Sequence, residues 1–247
     1  MRKELPKGVH ESWTDIMLPL LQDKRYKETQ DMILGLVRSK TKVITPEPAN
    51  IYRVFRKPVE HYSIYVFAEA PYWTISKTPD STTRTAIGRA FAIPYAKGEE
   101  GLSPSLKVII EALRVQYHHP ALHYHQDVPF DVTLEHWENQ GVMLLNRYLT
   151  AELRNSNSIV HSKYWSWFTE GLIKNISDQT NAKIFHLWGQ KAKQLSTLID
   201  TEKHYIIEAS HPQATNYNTA FDFPNEDVFL KTDEITYKLN NEVIKWF

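Results

Sequence analysis

Three short segments of this chain place polar or constrained side chains directly after apolar runs. Ala70-Pro71-Tyr72 follows the run at 64–67, Asn146 the run at 142–145, and Ser210-His211-Pro212 the run at 205–209. The groups carried there are a phenol, a carboxamide and an imidazole. A carboxamide offers one acceptor and two donors, so it can pair with the polar edge of a ligand, and an imidazole can donate a hydrogen bond to charge as it develops. Taken singly, each has a plainer reading as a turn former or a satisfied strand-end residue. Their joint placement favours one pocket. A second cluster, His118, His119, His123 and His125, has the chemistry of metal ligands. No cysteine or paired carboxylate set accompanies it, so it is read as a solvent-facing loop, and no metal is expected.

Such groups need rigid carriers. The runs at 64–67, 142–145, 184–188 and 205–209 are too short for helices and rich in β-branched or bulky apolar residues, as buried strands are. Helical patterns separate them. Ser103-Pro104 caps and starts one, with Leu106, Ile109, Ile110, Leu113 and Tyr117 along one face. Another puts Trp165, Phe168, Leu172 and Ile176 on one side, and a third runs roughly over 190–200. Residues 1–60 read as a helical N-terminal part of the same domain. Strands alternating with helices imply an α/β fold, a three-layer α/β/α arrangement around a mainly parallel four-stranded sheet, in a single domain over 1–247. In open sheets of this kind ligands bind beyond the carboxyl ends of the strands. That is where the three segments fall.

Composition narrows the partners. With 247 residues, 42% of them hydrophobic, the chain can bury one sizeable core. Lys+Arg and Asp+Glu balance at 29 each, so a polyanion would need a local basic patch or helix N-termini. The absence of cysteine excludes disulfides, thiolate nucleophiles and zinc–thiolate sites. The start lacks a signal-peptide core, and no apolar run approaches the roughly 20 residues of a membrane helix. A soluble, intracellular chain is expected.

Several segments, in order, resemble the uracil-DNA glycosylases. Glu69-Ala70-Pro71-Tyr72-Trp73 is similar to that family's Gln-Asp-Pro-Tyr-His loop, and Gly88-Arg89-Ala90-Phe91-Ala92-Ile93 to its Gly-Leu-x-Phe-Ser-Val segment. Ser103-Pro104-Ser105-Leu106-Lys107 resembles its Pro-Pro-Ser-Leu turn, and residues 137–146, ending in Leu144-Leu145-Asn146, its Trp-Ala-x-Gln-Gly-Val-Leu-Leu-Leu-Asn strand. Leu149-Thr150, His161, Trp165, Leu187-Trp188-Gly189, Ala209-Ser210-His211-Pro212, Phe229 and the tail Ile244-Lys245-Trp246 follow in family order.

The resemblance implies that a uracil flipped out of DNA is hydrolysed from its sugar, without metal or organic cofactor. Asn146 would read N3–H and O4, Phe91 would stack, Tyr72 would stand against C5 where thymine carries a methyl, and His211 would donate to O2. Glu69 lies in the same loop and joins the uracil-binding set. Ser103, Pro104, Ser105, Gln190, Gln213, Thr215 and Tyr217 fall at the DNA-contacting positions. Ala70 stands where the family's aspartate orients water and faces the sugar cation, so catalysis is expected to be impaired. An engineered exchange of that aspartate is the favoured origin, because the base-reading residues are intact. The alternative is a natural, inactive DNA-binding or replication-subunit relative with a replication-protein partner. Thr215 replaces the family's leucine wedge, which implies a preference for single-stranded over duplex uracil DNA, with Tyr217 as a substitute wedge. A monomer and no membrane partner are implied.

Overall fold

The computed structural model describes residues 4–39, 41–118, 130–157, 160–218 and 220–247. Its strands are β1 (Ile44–Thr45), β2 (Ile64–Ala68), β3 (Ile75–Lys77), β4 (Thr82–Arg84), β5 (Val142–Asn146), β6 (Ala151–Glu152), β7 (Ile184–Trp188) and β8 (Tyr205–Ala209). Its α-helices are α1 (Thr14–Leu21), α2 (Lys24–Arg38), α3 (Pro104–Gln116), α4 (Glu135–Asn139), α5 (Ser162–Gln179), α6 (Gln190–Lys193) and α7 (Val228–Asn240).

The central sheet has the order β5-β2-β7-β8, every neighbouring pair parallel. Alternation along each strand feeds two apolar layers. Ile64, Val66, Val142, Leu144 and Ile184 face one layer with Phe91, Leu106, Trp137 and Phe229, while Tyr65, Phe67, Met143, Leu145 and Phe185 face the other with Trp13, Trp165 and Phe168. Helices therefore cover both faces, as the alternating pattern requires.

Parallel pairing brings all four carboxyl ends to one edge. Ala68 lies opposite Asn146, and Trp188 opposite Ala209. The ladder continues into the loops, with Arg147 N–H donating to the Ala68 carbonyl at 2.8 Å and Tyr148 N–H to that of Glu69 at 2.9 Å. The loop that follows β2 is thus clamped to the end of β5.

Local signals explain most element ends. Ser103 Oγ accepts from Leu106 N–H at 3.4 Å and Pro104 opens α3, the expected cap. The helix expected over 190–200 is instead the single turn α6 followed by a 3₁₀ segment at Gln194–Leu198. Ala192, Leu195 and Leu198 recur every three residues, which suits a 3₁₀ turn packed on the core. The N-terminal part carries 3₁₀ turns at Pro48–Asn50, Arg53–Phe55 and Val59–His61 and is α-helical only to Arg38. Beyond it β1 pairs antiparallel with β6, tying the N-terminal region to the segment after Asn146.

Candidate functional site

The loop after β2 carries Glu69, Ala70 and Tyr72. Ala70 is partly buried against the layer containing Phe67 and Leu195. The Tyr72 hydroxyl donates to the Phe91 carbonyl at 3.2 Å and lies 2.7 Å from Ser103 Oγ. Two anchors at one oxygen lock the ring. Burial pushes the phenol up to about 12, the Ser103 bond opposing, so Tyr72 stays neutral.

Phe91 has φ 63°, a left-handed conformation that a bulky residue adopts only when its surroundings impose it. Those surroundings are visible. Ala90 N–H donates to the Leu144 carbonyl at 3.0 Å, and buried Arg89 donates to Glu138 through Nε at 2.9 Å and Nη2 at 2.5 Å. Arg89 also reaches Glu135 at 3.1 Å. The Phe91 segment is thereby bolted to α4, the helix that leads into β5. The Phe91 ring centroid lies 5.5 Å from that of Trp188.

Asn146 ends β5 on the same sheet face as Val142 and Leu144, the face that also meets Phe91, Tyr72 and Trp188. It is 8% exposed, and its carboxamide makes no hydrogen bond to another described residue. An amide at a strand end that has no protein partner has donors and an acceptor available to a ligand.

His211 follows β8. Gln213 N–H donates to His211 Nδ1 at 3.1 Å, so the neutral ring carries its proton on Nε2 and can donate there. Burial pulls the imidazole below its ordinary pKa, with the Glu69 charge opposing. A neutral donor at pH 7 results. Gly189, at φ +91°, lets the end of β7 approach this histidine: a Cβ there would sit 2.9 Å from His211 Cβ.

The remaining expected residues scatter around this edge. Ser103 is spent on Tyr72 and the α3 cap, Pro104 is exposed, and Ser105 is buried in α3 rather than displayed. Gln190 is exposed at the start of α6. Thr215 Oγ1 accepts from Phe223 N–H at 3.3 Å, while Tyr217 is 78% exposed and accepts from Gln213 Nε2 at 3.1 Å. Sequence reasoning missed Lys191 and Arg147. Lys191 pairs with Glu69, Arg147 with Glu170, and both line a cavity of about 190 Å³ that reaches His211. Their signal was only a cation one residue beyond an already noted position. A larger cavity, about 600 Å³, lies among the N-terminal helices by Tyr26 and Tyr52 and contains none of these groups.

Of the histidine cluster, His118 is an exposed turn residue and His119, His123 and His125 lie outside the described residues. Among the described residues no group of three or more His, Cys, Asp or Glu side chains could hold a metal, and no helix is long and apolar enough to cross a membrane.

No family model matches the chain. It is 32% identical over 237 residues to the uracil-DNA glycosylase of Aliarcobacter butzleri, spanning 95% of this chain and 100% of that protein. It is 30% identical over 240 residues to that of Buchnera aphidicola, spanning 96% and 98%. Among solved structures, mimivirus uracil-DNA glycosylase superposes with a TM-score of 0.81 at 23% identity, over 97% of this chain and 87% of that one. At that identity the superposition speaks for the fold, and it agrees with the parallel four-stranded sheet.

Proposed function

This chain belongs to the uracil-DNA glycosylase family, the glycosidases of base-excision repair, and from that membership we propose that it binds uracil extruded from DNA at the sheet edge described above and cleaves its N-glycosidic bond slowly. The observation that carries the reading is the Asn146 carboxamide, free of hydrogen bonds to other described residues at the end of β5, on the sheet face whose apolar layer includes the constrained Phe91. Asn146 would pair with N3–H and O4, and Phe91 would stack on the base. Tyr72, its ring locked, would stand against C5 and exclude a methyl group. The His211 Nε2–H would meet the charge gathering on O2 as the bond breaks.

Ala70 limits the rate. In a domain that keeps its base-reading groups, the alanine cannot orient water or face the sugar cation, as a single exchange at that position would produce. No metal or organic cofactor takes part in this scheme.

Two measurements test the proposal. The chain should bind uracil-bearing DNA more tightly than its thymine-bearing equivalent, and Asn146→Ala should remove most of a preference worth about 1–3 kcal/mol. Ala70→Asp should raise uracil release from single strands by at least about 10²-fold. Equal affinity for the two DNAs, insensitive to Asn146→Ala, would refute base reading and point to a replication-subunit role instead.

A further inference from the structure

Glu69 immediately precedes Ala70, and its carboxylate pairs with the Lys191 ammonium across the ends of β2 and β7. Both side chains line the cavity of about 190 Å³ with Phe67, Leu195 and His211. Ala70 packs against the same apolar cluster that contains Phe67 and Leu195. The cavity is lined also by Ala68 and Trp188, which belong to or pack on the Phe91 layer, so it lies at the sheet edge between the two layers. The family loop reads Gln-Asp at these positions; here it reads Glu-Ala. One carboxylate is present in the loop, one residue earlier and one methylene longer than the family's aspartate.

Reach permits the exchange. Consecutive Cα atoms are about 3.8 Å apart, and each further side-chain bond adds about 1.5 Å. A glutamate at 69 can therefore bring its oxygens near the volume that a shorter carboxylate at 70 would command. Its side chain is 29% exposed, open enough to meet a water at the mouth of the cavity. The charge-assisted bond from Lys191 limits the rotamers it samples. Glu69 and His211 line the same cavity, which puts the carboxylate near the group that would donate to the leaving base.

Resting on the glycosylase reading above, we propose that Glu69 is the catalytic carboxylate of this chain. The oxygen of a water held by Glu69 bonds to C1′ of the sugar as the C1′–N1 bond breaks. The bonding pair leaves on uracil N1 and spreads toward O2, where His211 donates. The water's proton passes to the Glu69 carboxylate, which faces the positive sugar in the transition state, and is then released to solvent or to the departing uracil anion. Charge and atoms balance with water as the sole co-reactant.

The test is a double-mutant cycle read by single-turnover uracil release from single-stranded uracil DNA, with DNA affinity measured on the same samples. In the native chain Glu69→Gln, which restores the family's residue, should slow release by about 10²-fold and leave affinity nearly constant. In an Ala70→Asp background the same exchange should cost far less, because the introduced aspartate takes over the role. That non-additivity is what a merely structural glutamate would not produce. Equal costs in the two backgrounds, or release by the native chain no faster than by Glu69→Gln, overturns the assignment. Failure of the native chain to prefer uracil over thymine DNA would instead refute the glycosylase reading on which it rests.

Discussion

Tyr217 is expected to carry the duplex step. A base can leave the stack only if something fills the gap, and unstacking costs a few kcal/mol in a duplex and least in a single strand. Thr215 occupies the family's wedge position, but its hydroxyl is engaged by Phe223 N–H at 3.3 Å, which turns it toward its own loop. Tyr217 stands two residues on, 78% exposed, with its hydroxyl held by Gln213 Nε2 at 3.1 Å. An exposed aromatic with a buttressed tip loses little rotamer freedom when it enters a stack. Aromatic–base stacking is worth about 1–3 kcal/mol by alanine substitution, so Tyr217→Ala should slow release from duplex uracil DNA by about 5- to 150-fold. Single-strand release should change by much less. Thr215→Leu should add little to duplex activity while Tyr217 remains. The assay is single-turnover release in the Ala70→Asp background on matched single-stranded and duplex substrates. Equal losses on the two substrates with Tyr217→Ala, or a clear duplex gain with Thr215→Leu, would refute the assignment.

Other perturbations have definite expected outcomes. His186 is fully buried with its ring bonded to Thr232 Oγ1 at 2.9 Å, and burial lowers its pKa to about 3. Because the unfolded chain takes up that proton below about 6.5 while the folded chain does not, stability should fall with pH from about 6.5 toward 3, by about 2 kcal/mol at pH 5. Urea unfolding of His186→Gln should show that part of the acid sensitivity gone. Arg89→Ala strands the Glu138 carboxylate in the core and should cost about 3–5 kcal/mol in the same assay, whereas a surface ion pair such as Lys174–Asp178 should cost under about 1. Gly189→Ala forces a Cβ against His211 and should lower uracil release in the Ala70→Asp background by about 10²-fold, the scale of a displacement near 1 Å. Unchanged release would show that the strand end can shift without moving the histidine.

Much of the fold was legible because β2, β5 and β7 are short, buried and almost wholly apolar runs followed by polar turns. Strand β8 was expected to be buried too, but as an edge strand it exposes Tyr205 and Glu208. Strands at 184–188 and 205–209 match their runs, and β2 and β5 each extend one residue further, to Ala68 and Asn146. The short β3–β4 hairpin was illegible: its strands are three residues long and largely polar. Helix α7 escaped because threonines 232 and 236 occupy part of its buried face, their hydroxyls bonded back to carbonyls of the helix. At the site, residue type pointed to Asn146 and His211, but nothing in the order of residues foretold the Glu69–Lys191 pair. That contact joins the loop after β2 to the helical turn α6, 122 positions apart, and depends on β2 and β7 being neighbours.

The alternation that puts Asn146 on the sheet face of Val142 and Leu144 has a further consequence, one of parity. Leu145 belongs to the opposite apolar layer and Arg147 is already bonded outward to Glu170, so only every second residue of β5 can serve the proposed base pocket. Deleting a single residue between 142 and 145 would deliver Arg147 to the pocket, a fork of donors with no acceptor, in place of an amide that has both. Deleting two would restore the side though not the depth. On the proposed reading, base preference depends on a count as well as on an amino-acid type. Within those five residues of β5 an odd insertion or deletion would rewrite the chemistry of the proposed site without substituting any residue in it.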